Sequence, residues 1–123
     1  MLDKGLKILV AEDNDSNYVL LTYMLKGFAL DRAVNGLIAV EKARQGGYDV
    51  ILMDLRMPEM SGIEATQQIR AFDKAVPIIA LTSNAFDSDR VEAIEAGCDL
   101  FLTKPIRKNV LMTALEDLFS KGE

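Results

Sequence analysis

The sequence predicts an α/β protein: a doubly wound, all-parallel sheet of five strands in the order 2-1-3-4-5, with five helices on both faces. Three observations carry that prediction. Short, almost wholly apolar runs recur along the chain, as strands buried on both faces of a parallel sheet do. Segments of helical period separate them, so strand and helix alternate throughout. One strand is interrupted by charge, and this order places it at an edge.

The first strand is Leu6–Ala11. A helix over Asn14–Lys26 follows, with Leu21, Met24 and Leu25 at helical spacing and Gly27 as its terminator. Ala29–Val34 is the charged strand, carrying Asp31 and Arg32. Asn35-Gly36 turns into a second helix marked by Val40 and Ala43 and stopped by Gly46-Gly47. Val50–Met53 is the third strand, and Ser61-Gly62-Ile63-Glu64 has the capping-box pattern that opens a helix through Ile69 and Ala71. Ile78–Leu81 is the fourth strand, and Ser88–Ala96 is a shorter fourth helix ended by Gly97. Leu100–Leu102 is the fifth strand, read as buried on both faces like its predecessors. Val110–Phe119, with Leu111, Leu115 and Leu118, closes the chain as the fifth helix. Right-handed crossovers distribute the helices over both faces.

The length of 123 residues fits one domain over 1–123, with no effector domain expected beside it. Fourteen basic against nineteen acidic residues leave a net charge of −5, which repels nucleic-acid phosphates and anionic lipid. No apolar run approaches the ~20 residues a membrane span needs. The chain has no histidine, which excludes Ser-His-Asp and Cys-His nucleophiles and the common His-containing zinc sites. Any phosphohistidine chemistry must therefore come from another molecule. The single cysteine, Cys98, forms no internal disulfide; it reads as an inert buried thiol in a cytoplasmic protein.

In the 2-1-3-4-5 order, ligands bind beyond the carboxyl ends of the first and third strands. Glu12 and Asp13 follow the first strand, Asp54 the third, Thr82 the fourth, and Lys104, before Pro105, the fifth. Each alone is ordinary: an acid after a strand is commonly a turn or cap, a Thr closes many strands, and a loop Lys is usually solvated. Asp54 is less easily dismissed, because Val50-Ile51-Leu52-Met53 leads into it with no polar buffer. An unpaired charge there costs several kcal/mol. Two like charges about 4 Å apart repel by a further ~4 kcal/mol at an effective dielectric of about 20. A hard divalent cation resolves the conflict, and Mg²⁺ (or Mn²⁺) takes carboxylate oxygens while keeping room for phosphate. Metal, ammonium, hydroxyl and carboxylate together suit in-line phosphoryl transfer onto Asp54.

Four stretches make the sequence resemble the receiver domains of two-component response regulators over essentially its whole length. They are Ile8-Leu9-Val10-Ala11-Glu12-Asp13-Asn14, Met53-Asp54-Leu55-Arg56-Met57-Pro58-Glu59-Met60-Ser61-Gly62, Pro77-Ile78-Ile79-Ala80-Leu81-Thr82 and Leu102-Thr103-Lys104-Pro105. The resemblance implies a flavodoxin-like fold and a cytoplasmic phosphorelay protein. It makes Asp54 the phospho-acceptor, Asp13 a direct Mg²⁺ ligand, Glu12 a ligand acting through water, and the Arg56 backbone carbonyl the third protein ligand. Thr82 and Lys104 would bind the phosphoryl group, Lys104–Pro105 would be a cis peptide, and Phe101 would be the aromatic partner of Thr82 in a switch. The implied donor is a sensor histidine kinase or histidine phosphotransfer protein. The implied output is a downstream protein on the fourth helix, fifth strand and fifth helix, with slow self-dephosphorylation. Several positions depart from the commonest pattern: Glu12 for Asp, Ser61 for Asp, Ser83 for a small residue, and Phe101 for Tyr. Arg56 and Asn84 flank the phosphoryl site, where members of the family vary.

On the first helix, Asn17, Tyr18 and Leu21 are open to two readings, a docking surface for the donor or ordinary core and surface positions. Other classes fit less well. An Asp-nucleophile phosphatase or dehalogenase usually has a second Asp two residues on, where Arg56 stands. A flavin module needs a Gly-, Ser- or Thr-rich phosphate loop where Glu12-Asp13 stands. A degenerate receiver acting only as an interaction domain would lack some of the five site positions, all present here.

Overall fold

The computed structural model describes residues 5–83 and 87–120. Strands and helices alternate as β1 (Lys7–Ala11), α1 (Asp15–Met24), β2 (Ala29–Ala33), α2 (Gly36–Gln45), β3 (Val50–Asp54), α3 (Gly62–Phe72), β4 (Ile78–Thr82), α4 (Asp87–Ala96), β5 (Leu100–Thr103) and α5 (Lys108–Ser120). The sheet runs β2-β1-β3-β4-β5, every pair parallel.

Alternation along the strands divides the core in two. Leu9, Ala11, Ile51, Met53, Ile78 and Ala80 face one layer, where they meet Ala39, Val40 and Ala43 of α2, Ala65 and Ile69 of α3, and Ala93 of α4. Ile8, Val10, Val50, Leu52, Ile79 and Leu81 face the other, against Leu21 of α1, Leu25, and Leu111, Ala114 and Leu115 of α5. Side-chain caps fix where the helices start. Asn14 Oδ1 accepts from the Asn17 amide at 2.9 Å, Asn35 Oδ1 from Ile38 at 2.8 Å, and Ser61 Oγ from Glu64 at 3.2 Å. The α4 helix differs from the others in its anchorage. Its buried apolar side chains are Ala93 and Ala96, while Val91 and Ile94 stand exposed.

The fifth strand corrects the expectation of burial on both faces. Leu100, Phe101 and Leu102 are only half-buried, because β5 is the second edge of the sheet and pairs with β4 alone. An apolar run by itself does not distinguish a central strand from an edge whose side chains still reach the core. The other edge, β2, is polar as expected. There the Tyr48 hydroxyl donates to Asp31, and Lys42 pairs with the same carboxylate at 3.0 Å. The bond from Tyr48 holds Asp31 below its ordinary value, and burial with that bond pushes Tyr48 up to about 12. Cys98 is buried beside Thr66, and burial pushes its thiol up, as befits an inert sulfur.

One glycine sets the approach of α3 to the sheet. A Cβ at Gly62 would lie 2.1 Å from the Asp54 carbonyl oxygen and 2.8 Å from Leu55 Cα, both rigid backbone. The Gly62 amide also donates to the Leu55 carbonyl at 3.0 Å. Gly62→Ala is therefore expected to lower stability by about 1–3 kcal/mol, the usual cost of overpacking, as read by urea denaturation. A variant as stable as the parent would show that the helix start can back away from the strand.

Candidate functional site

The carboxyl edge of the sheet brings together residues from four strand ends. The chain leaves β1 through Glu12, whose amide donates to the Ala33 carbonyl at 3.0 Å and whose carbonyl accepts from Arg32 Nε at 3.1 Å. Pinned to β2 in this way, Glu12 turns inward and is 0% exposed, while Asp13 faces outward. Asp54 is the last residue of β3 and is 5% exposed. The cis peptide Lys104–Pro105 follows β5, and the Lys104 amide donates to the Thr82 carbonyl at 2.6 Å. That placement carries Lys104 Nζ to 2.7 Å from Glu12 Oε1 and 3.3 Å from Asp54 Oδ2. Thr82 ends β4, fully buried.

The charges at this rim do not balance. Burial pushes Glu12 up, but hydrogen bonds from Asp54 and Lys104 and the Lys104 charge hold it below the ordinary value. Burial, followed by the hydrogen bond to and charge of Glu12, pushes Asp54 up to about 7, while Lys104 and the Arg56 amide pull the other way. One ammonium is thus shared between two buried acids. Burial disfavours the Lys104 charge, yet its two carboxylate neighbours raise it overall.

Among the described residues, Glu12, Asp13 and Asp54 each place a carboxylate oxygen within 4.8 Å of the others. An all-oxygen donor set with surplus negative charge and one solvent-facing member fits a hard divalent cation that keeps part of its water shell. The residues present therefore fit Mg²⁺, and Mn²⁺ by the same chemistry.

The remaining sequence candidates are placed as follows. The Arg56 amide donates to Asp54 Oδ1 at 3.2 Å, while its side chain runs outward, 66% exposed. Phe101 lies in β5, three residues before Lys104, and packs against the α2–α3–α4 layer rather than into the carboxylate cluster. Ser83 is exposed, and Asn84 lies outside the described residues. On α1, Leu21 is buried in the core, so the core reading holds for it; Tyr18 is half-buried beneath the Arg32 guanidinium, 4.6 Å from its ring centre. The large apolar side chains this helix exposes are Val19, Leu20 and Tyr23.

Two residues near the site escaped sequence reasoning. Arg32, read only as an interruption of an edge strand, reaches the Glu12 carbonyl and lies 2.9 Å from Asp15. Its register opposite Val10 was the available signal. Asp89 of α4 lies 3.4 Å from both Thr82 Oγ1 and Arg56 Nη2. No local pattern marks it, since its partners belong to two other elements. An open cleft of about 610 Å³ runs beside these groups, lined by Asp13, Arg56, Ser61, Asp89 and Glu92 among others.

A family model described as the response regulator receiver domain matches residues 8–116. Hybrid signal transduction histidine kinase G of Dictyostelium discoideum is 40% identical over 109 residues, covering 83% of this chain; the chain spans 3% of that kinase's length. A solved structure of the receiver domain of a Pseudomonas aeruginosa sensor histidine kinase, with magnesium coordinated in its active-site cleft, has a TM-score of 0.89 and 38% identity. It covers 95% of this chain and 99% of its own. The receiver domain of Saccharomyces cerevisiae Ssk1, solved in complex with the histidine phosphotransfer protein Ypd1, has a TM-score of 0.89 and 33% identity, covering 95% and 90%.

Proposed function

The chain belongs to the response regulator receiver domain family, and from that premise we propose that it accepts a phosphoryl group on Asp54 from a phosphohistidine of a partner protein. The observation that carries this reading is the crowding of Glu12, Asp13 and Asp54, with Lys104 paired to the two buried ones. Asp13, Asp54 and the Arg56 carbonyl would hold Mg²⁺, with Glu12 behind them through water. When bound, the ion neutralises the acids and offsets the charge of phosphoryl oxygens.

In the transfer, a carboxylate oxygen of Asp54 forms a bond to phosphorus as the phosphorus–nitrogen bond of the partner's phosphohistidine breaks. The electron pair returns to the imidazole, which gains a proton. Lys104 holds one side of the incoming group and the Thr82 hydroxyl donates to another. The group adds about −1.5 to −2 charges beside Lys104, and water later removes it slowly. Thr82 moves towards the phosphoryl group, Phe101 turns into the space vacated, and the surface of α4, β5 and α5 changes for a downstream protein. The exposed Val91, Ile94 and Val110 and half-buried Leu100 and Leu102 give that surface apolar contacts.

The donor is a sensor histidine kinase or histidine phosphotransfer protein; the chain's own lack of histidine and the Ypd1 complex of a related receiver support it. No helix among the described residues is long and apolar enough to cross a membrane. The reading places the reaction in the cytoplasm, a compartment that keeps Cys98 a thiol. Incubation with acetyl phosphate and Mg²⁺ is expected to add one phosphoryl group, located at Asp54 by mass spectrometry, and EDTA is expected to abolish it. Label on another residue, or label indifferent to EDTA, contradicts the reading.

A further inference from the structure

We propose that Asp89 is a positioning residue for this site: its Oδ2 holds the Thr82 hydroxyl and the Arg56 guanidinium before phosphorylation and yields both to the phosphoryl group. The inference rests on the function proposed above. A single oxygen lies 3.4 Å from each donor, so one atom ties the end of β4 and the loop after β3 to the first turn of α4. An acid that served only the helix dipole would face water, whereas the Asp89 side chain is 14% exposed and turned towards the site.

The latch is built to lose. Well-formed hydrogen bonds span about 2.7–3.2 Å, so both contacts are weak. A phosphoryl group on Asp54 offers three oxygens and nearly twice the charge. Arg56 is already held at that place through its amide bond to Asp54 Oδ1, so its side chain needs only to swing across. Once its donors leave, Asp89 faces a new like charge and is driven outward. With it goes the first turn of a helix anchored by Ala93 and Ala96. Before phosphorylation the same carboxylate adds negative charge beside the path of an anionic donor, so it slows uptake.

Rates of Asp54 labelling against acetyl phosphate concentration, with Mg²⁺ present, test the proposal in the parent, Asp89→Ala, Asp89→Asn, Arg56→Ala and the Arg56→Ala/Asp89→Ala double variant. Both single Asp89 variants are expected to label about fivefold faster, chiefly through a lower KM for the anionic donor, with the gain shrinking at high salt. Asp89→Glu is expected to restore the parent rate. In the Arg56→Ala background the gain from Asp89→Ala is expected to fall to about twofold, because most of it comes from the guanidinium that Asp89 no longer withholds from the anionic donor. Labelling of Asp89→Ala and Asp89→Asn at the parent rate, or an equal gain with and without Arg56, overturns the latch alone. A parent that takes no label overturns the proposed function and the latch with it.

Discussion

Replacing Asp54 with Asn is expected to abolish phosphoryl uptake and, in the same molecule, to make the metal-free protein more stable. Loss of the nucleophile should reduce labelling by about a thousandfold or more, below detection. The stability gain follows from the position of the carboxyl, buried at the end of β3 beside Glu12 and pushed up to about 7 from an ordinary 3.8. Below about pH 4 both folded and unfolded chains keep the Asp54 proton, and the site costs nothing. As pH rises towards 7 the unfolded chain releases that proton while the folded chain retains it, so stability is lost through that window and stays lost above it. The gap between the two values sets a ceiling of about 4 kcal/mol on what this carboxyl costs, at ~1.36 kcal/mol per pH unit. The amide does not titrate and can still donate to Glu12. Urea denaturation in EDTA is therefore expected to show Asp54→Asn about 2 kcal/mol more stable near pH 8, with the difference closing towards pH 4. Added Mg²⁺ should stabilise the parent more than the variant. Stability curves that run parallel across this range would remove the electrostatic account of the site.

Lys104→Met carries the opposite sign. The ammonium is 2.7 Å from a Glu12 carboxylate with no exposure of its own, and it is the cation these two acids share. Taking it away leaves a buried charge uncompensated, which typically costs about 3–5 kcal/mol. The metal-free variant should therefore unfold at much lower urea near pH 8. It should recover part of the loss at lower pH, where Glu12 and Asp54 take up protons, and part in Mg²⁺. Labelling by acetyl phosphate should fall by about 10²–10³-fold even with Mg²⁺ present, since a charge aimed at the phosphoryl oxygens is gone. A variant that labels normally while remaining stable would assign Lys104 a role outside the site.

Most of this fold is written in the order of short apolar runs and helical segments, because a strand covered on both faces has little choice of residue. The acids were legible for a related reason: a carboxylate that directly follows Met53 must end at the rim of the sheet. Strand ends were less so. Asp54 and Thr82 are members of β3 and β4, not residues beyond them, because a polar side chain there still pairs its backbone with a neighbouring strand. Contacts between elements are harder to read. Arg32 reaches Glu12 from the neighbouring strand, where only its register opposite Val10 hints at it, and Asp89 reaches Thr82 from a helix seven positions later, outside any local pattern. Leu21 shows the converse, a residue whose helical spacing already spoke for the core.

The slender seating of α4 has a consequence for how a signal leaves the site. Among its described side chains, the apolar ones this helix buries are the methyl groups of Ala93 and Ala96, whereas α1 and α5 are rooted by leucines. Tilting it uncovers little oily surface, so a local change at Asp54 need not loosen the rest of the molecule to be felt outside. The domain can signal with one hinged shutter while its frame stays fastened.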